Sequence, residues 1–219
     1  MKIVGRVVGA LVLLAIVAGI IWRWETNGWG SLVWLVVAIA TPMIRAPFAN
    51  RTAENTITEK RETGTEPVLL FLVMAGTTFL PIVHLLTGVF SFADYDLPTW
   101  ATVVGAVIPI PALWLFWRSH ADLGRNWSVT LEVREEHTLV TNGVYRRVRH
   151  PMYTSLFALY LASPLLLHNW IAGFSGVVSF AVLHLVRVAN EERMMRDLFG
   201  AEYEAYVART GRLLPRLAS

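Results

Sequence analysis

The chain of 219 residues contains no cysteine. Disulfides, thiolate catalysis and cysteine-ligated metals are thereby excluded. Charge is scarce as well. Only 16% of the residues are Asp, Glu, Lys or Arg, against about 25% in soluble domains, and a soluble domain of this length needs more polar surface. No GxGxxG follows a predicted strand and no phosphate-binding loop is present, which excludes a soluble dinucleotide-binding domain. There is no internal repeat at solenoid period and no low-complexity tract. The net charge is only +3, and the arginines lie beside apolar runs rather than in a separate basic domain. Nucleic acid is therefore not an expected partner.

What the chain has is apolar sequence. Hydrophobic residues make up 55% of it, with a mean hydropathy of +0.50. Six apolar runs stand out: 3–22, 31–48, 68–90, 99–117, 152–167 and 171–188. Several reach the ~20 residues needed to cross a bilayer. The second is broken by Thr41-Pro42 and Arg45, the third holds Pro81 and His84, and the fourth holds Pro109 and Pro111. Residues 50–66 and 118–150 read as polar loops, 93–98 as a short acidic turn and 168–170 as a tight turn. Residues 191–212 read as a polar helix with Leu198, Phe199, Tyr203 and Tyr206 on one apolar stripe.

Basic residues collect in cytoplasmic loops. With a cytoplasmic N-terminus, six spans place 18 of the 19 basic residues inside, leaving only Arg23 outside. The outer turns carry Glu25, Asp94 and Asp96. Trp22, Trp24, Trp29, Trp100 and Trp170 then fall near the outer interface, and Trp114, Trp117 and Trp127 near the inner one, as aromatic belts do. The alternative for the first run, a signal peptide, has Lys2 and Arg6 ahead of an apolar core but lacks a clean small-x-small cleavage site. The expected architecture is an all-α integral membrane protein of about six spans with both termini cytoplasmic. Residues 1–117 are expected to form four N-terminal spans, and residues 118–219 a C-terminal region of polar loop, membrane hairpin and polar helix.

Two clusters carry chemistry. In the run HTLVTNGVYRRVRHPMY, residues 137–153, Gly143 allows a backbone turn and Pro151 can open a helix at its first position. Arg149 and His150 then sit beside exposed helix N–H groups, a place for an anion. Tyr145 and Tyr153 offer aromatic faces to a cation. The plain alternative is a positively charged loop with an interfacial tyrosine pair. In the second cluster His184, Arg187 and Glu191 share a helix face, flanked by Glu192. The plain alternative there is snorkelling plus an ion pair. His84 reads either as a hydrogen-bonded core histidine or as part of a substrate tunnel.

The order of HTLVTxGVY, RHPxY, the Glu191-Glu192 pair, FGxEYxxY and a late Leu-Pro resembles the isoprenylcysteine carboxyl methyltransferase family over about residues 118–215. The first hundred residues match it only as membrane helices. The resemblance implies transfer of a methyl group from S-adenosylmethionine to a lipophilic acceptor at the cytoplasmic membrane face. It implies that His137, Leu139, Val140, Gly143, Tyr145, His150 and Tyr153 contact the cofactor. It places Glu191 and Glu192 near the cofactor's amino-acid end and gives Arg149 the task of orienting the acceptor. No metal ligand is implied. The chain departs from the family pattern at Ser155, where a glycine usually stands, and at Asn190, where some relatives carry a third acid. The expected reaction is O-methylation of an isoprenylcysteine-type carboxylate, with membrane lipid as surroundings; the alternatives are methylation of a phospholipid amine or a thiol, an NADPH-dependent sterol-type reductase, and a non-enzymatic membrane protein of the same fold.

Overall fold

A computed structural model describes residues 2–52, 57–60, 64–127, 132–134 and 138–216. Its helices are α1 (Lys2–Trp22), the single turn α2 (Trp24–Asn27), α3 (Gly30–Thr52), α4 (Glu66–Met74), α5 (Leu80–Thr87), α6 (Thr99–Val107), α7 (Pro109–Leu123), α8 (Pro151–Leu167) and α9 (Trp170–Arg209). Two short strands, β1 (Ile57–Lys60) and β2 (Glu132–Arg134), pair antiparallel. The expected polar loop at 50–66 is thus partly a strand, tied to the second polar loop.

Each apolar run became helix, but the ends moved. A π-helical turn, Ala75–Phe79, joins α4 to α5. Pro81 has no N–H to donate into the preceding turn, and a π turn is one way to absorb that loss. Gly76 lies where a Cβ would collide with the Ser175 backbone, so α9 approaches closely there. The fourth run divides at Pro109 into α6 and α7, and α7 runs on through Arg118, His120 and Asp122 to Leu123. Those residues, expected in a loop, are helical because charge alone does not end a helix. Arg118 and Asp122 form an i,i+4 ion pair at 2.5 Å, and the helix stops at Gly124 with φ +53°. The expected boundary between a sixth span and a separate polar helix is also absent. α9 is continuous past Val188 and Glu191, and its break comes at Gly200, with φ +48°.

Among the described residues, four helical segments are long and apolar enough to cross a membrane: Gly30–Asn50, Glu66–Thr87, Thr99–Leu123 and Trp170–Arg209. Two shorter apolar helices, Gly9–Trp22 and Pro151–Leu167, accompany them. Large apolar side chains point outward, including Leu14, Met43, Phe71, Ile110 and Leu185. In water such a surface would be an association site; against lipid it is solvated. Inside, one apolar cluster gathers Ile20, Trp34, Leu35, Leu85, Ala162 and Leu166 from the N-terminal helices and α8. A second gathers Ala112, Phe116, Leu156, Leu159, Phe180 and Leu183 from α7, α8 and α9.

α8 and α9 form a hairpin. Pro151 opens α8 in its first turn, as the sequence predicts. At the far end His168 adopts φ +48°, and the Asn169 side chain caps α9 by accepting from the N–H groups of Ile171 and Ala172. The buried Asn169 amide also donates to Phe90 O at 2.7 Å and to Asp94 at 2.6 Å.

Candidate functional site

At the opposite end of the hairpin, where α8 begins, a cavity of about 260 Å³ opens between α3, α4, α8, α9 and residues 138–150. One side is polar and aromatic: Asn126, Trp127, Tyr145, His150, Tyr153 and Glu191. The other is apolar: Leu70 and Val73 of α4, Leu156 of α8, and Phe180 and Leu183 of α9.

The loop is held in place by short-range devices. Gly143 has φ +54°, and a Cβ there would collide with the Asp122 carboxylate. Glycine lets the backbone pass so closely that Val144 N–H donates to Asp122 at 2.9 Å. Asn126 accepts from Thr138 N–H at 3.0 Å and fixes the start of the described loop. Tyr145 is buried, its hydroxyl donates to Ser119 O at 3.2 Å, and its carbonyl accepts from the Tyr206 hydroxyl at 2.6 Å. Burial pushes its phenol well above the ordinary tyrosine range, so it stays neutral.

The two adjacent acids do different things. Glu192 is buried and is absent from the cavity wall. Its Oε1 accepts from Arg149 at 3.3 Å and lies 3.3 Å from His150 Nε2. Arg212 Nη2 donates to its Oε2 at 2.8 Å, and Arg196 lies 3.9 Å away. This carboxylate therefore ties α9 to the start of α8 and to the segment after α9. The backbone completes the tie: Arg149 N–H donates to Gly211 O at 2.9 Å and His150 N–H to Arg212 O at 3.0 Å. Glu191 instead lines the cavity. It accepts from the Tyr153 hydroxyl at 2.8 Å and from Arg187 Nε at 2.8 Å. Arg187 also reaches Glu66 of α4 at 3.2 Å, which joins the N-terminal helices to the site.

Of the residues singled out by sequence, Leu139, Val140, Tyr145, Arg149, His150, Tyr153 and Glu191 line this cavity together. Gly143 and Glu192 stand behind the wall and shape it. His137 lies outside the described residues. Arg149 is committed: Nη1 donates to Thr210 O at 2.7 Å, and Nε and Nη2 both donate to Glu192. Ser155 is buried in the hairpin, where its hydroxyl donates to Met152 O at 2.7 Å, and it does not line the cavity. His84 sits at the far end of the bundle, 3.7 Å from Asp94, outside the cavity. Sequence reasoning passed over Arg45, Trp127, Met194, Met195, Tyr203 and Tyr206 as cavity residues. For Arg45 a signal existed: an arginine inside an apolar run is a functional candidate.

Fold and site together define a helical integral membrane protein with a ligand cavity at one end of its bundle, polar on one side and apolar on the other. Residues 104–197 match the model of the isoprenylcysteine carboxyl methyltransferase family. Similar proteins include human protein-S-isoprenylcysteine O-methyltransferase, 32% identical over 119 residues, covering 53% of this chain and 42% of the human protein. The Dictyostelium discoideum protein of that name is 38% identical over 77 residues, covering 34% of this chain and 32% of its own. Arabidopsis thaliana protein-S-isoprenylcysteine O-methyltransferase A is 25% identical over 129 residues, covering 58% of this chain and 66% of its own. The chain spans about half the length of most of these curated relatives or less, and 66% of the Arabidopsis thaliana one.

Proposed function

We propose that this protein is a membrane-embedded S-adenosylmethionine-dependent methyltransferase whose acceptor is a lipophilic carboxylate of the isoprenylcysteine type. The observation that carries the reading is the two-sided cavity. A soluble, charged donor suits the side of Tyr153, His150 and Glu191, and a hydrocarbon chain suits the side of Leu70, Val73, Leu156 and Phe180.

The residues fit the donor's chemistry. Its sulfonium and ammonium are cationic, and the Glu191 carboxylate and the aromatic faces of Tyr153 and Trp127 suit such groups. When bound, S-adenosylmethionine supplies a methyl group whose C–S bond breaks as a C–O bond forms to the acceptor carboxylate, the electron pair staying on sulfur and no proton moving. The chain's own task is then to hold two reactants in line, and positioning of this kind is a large part of catalysis. Glu192 and Arg149 serve it by fixing the start of α8 against α9, and Gly143 serves it by setting the path of the loop. His150, held between Glu192 and Glu191, needs to act as a base only for an amine or thiol acceptor.

The distribution of basic residues supports six spans with both termini cytoplasmic, and in that arrangement the cavity lies at the cytoplasmic face of the membrane. The donor then enters from water, and the acceptor enters sideways from lipid.

The test is calorimetric titration of the detergent-purified protein with S-adenosylhomocysteine and, separately, with NADPH. Micromolar binding of the first and none of the second is expected. Binding of NADPH alone would replace the reading with a sterol-reductase-like one. Binding of neither by folded protein would favour a non-enzymatic role. With the first result in hand, lipid carboxylates, phospholipid amines and small thiols are compared as acceptors, and turnover of only the last two would shift the reaction to N- or S-methylation.

A further inference from the structure

The cavity wall contains a cation that neither the family match nor the motifs include. Arg45 belongs to α3, outside residues 104–197, and it reaches the cavity from the N-terminal helices. Its Nε is buried and meets no hydrogen-bond partner among the described residues. Its guanidinium carbon lies 5.3 Å from the centroid of the Phe116 ring. The cavity residues contributed by α4 are the apolar Leu70 and Val73.

The other two arginines in the wall are occupied. Arg149 is bonded to Glu192 and to Thr210, and Arg187 is held between Glu66 and Glu191. A buried donor without an acceptor costs the desolvation of that group. An anionic ligand in the cavity would offset the cost, and a guanidinium fork matches a carboxylate through two parallel N–H···O bonds.

We propose that Arg45 is the residue that recognises the acceptor's carboxylate, reading its negative charge from the apolar side of the cavity. The identity of the acceptor rests on the methyltransferase reading above. The anion site itself rests on the placement of Arg45. Arg149 is then a positioning residue, and the N-terminal helices contribute specificity as well as a lipid-facing shell. α3 and α4 suit this task, because Met43 and Phe71 are exposed beside Arg45 and Leu70 on the same two helices. A chain-bearing acid could slide from lipid past them with its head group directed to Arg45.

The test compares two ligands that differ only in charge: N-acetyl-S-farnesylcysteine and its carboxamide. Binding to the protein in detergent is followed by calorimetric titration. The wild type is expected to bind the acid about tenfold more tightly than the amide, the size of one charged hydrogen bond. Arg45→Gln is expected to bring the ratio near one while leaving S-adenosylhomocysteine affinity within about twofold. Arg45→Met leaves no polar group in the apolar wall and gives the same reading should the glutamine variant not fold. A wild type that does not distinguish acid from amide overturns the proposal, as does a charge-neutral variant that keeps the full preference. Acid preference that Arg45→Gln abolishes, in a protein that does not bind S-adenosylhomocysteine, would keep the anion site and remove the methyltransferase reading instead.

Discussion

At one end of the α8–α9 hairpin, the buried Asn169 side chain meets backbone groups and the half-exposed Asp94 carboxylate. It caps α9, holds Phe90 O, and receives help from Tyr95, whose hydroxyl donates to Pro164 O at 2.7 Å. Nearby, the Thr102 hydroxyl lies 2.8 Å from His168 Nε2. At the other end of the same two helices the buried groups are Glu192, Arg149 and His150, joined by Glu191 and Arg187. Both ends are polar and both close a turn of chain. At the Asn169 end, burial pushes the Tyr95 phenol up to about 12, so it remains a donor at neutral pH. The charged end surrounds a space. Ion pairs are a costly way to close a turn, because taking charge out of water offsets much of the attraction. Charge buried at such a cost, where the Asn169 end has only the half-exposed Asp94, marks the end where something charged is bound.

Three substitutions would break or sharpen this contrast. The largest effect is expected from Glu192→Ala. It leaves Arg149 buried without its carboxylate, and breaking a buried pair from one side costs about 3–5 kcal/mol. Thermal melting and limited proteolysis after Thr210 would read it. A melting temperature like that of the wild type would show that the carboxylate does not hold the segment down. Next is Asn169→Ala, which removes the α9 cap and orphans its partners, for about 1–3 kcal/mol of stability. S-adenosylhomocysteine affinity of the folded fraction should stay as it was, and a loss of affinity would deny that the Asn169 end is purely structural. The smallest is Glu191→Gln. Its stability should change by less than about 1 kcal/mol, because Tyr153 keeps an acceptor and Arg187 keeps Glu66. S-adenosylhomocysteine binding should weaken about tenfold. Equal losses of stability for Glu191→Gln and Glu192→Ala would erase the distinction between the two acids.

The positions of the helices were legible because apolar runs of span length have few alternatives. Their ends were not. α7 and α9 continue through Arg118 and Glu191 because an emerging helix can solvate its charges, and the sequence marks the true stops only by Gly124 and Gly200. In the site, the loop and the first turn of α8 could be read from Gly143, His150 and Pro151. The separate roles of Glu191 and Glu192 were hidden in the pairing of the two letters. Neighbours on a helix point about 100° apart, so one faced the cavity and the other faced the tie. Arg45 was visible only as an interruption, since its meeting with α8 and α9 is a long-range event that no local pattern encodes. The same holds for Gly211 and Arg212, whose contacts with Arg147, Arg149 and His150 are single backbone bonds.

Those bonds have a consequence for biosynthesis. Thr210 is translated 61 residues after Arg149, whose side chain it receives. The hairpin can enter the membrane long before that partner leaves the ribosome. During the interval Arg149 and Glu192 face each other without the segment that covers them, and the wall of the cavity stays open. A nascent chain stopped before Thr210 would therefore be threaded through the bilayer yet unable to close its own site, which makes the arrival of this segment a late step of assembly.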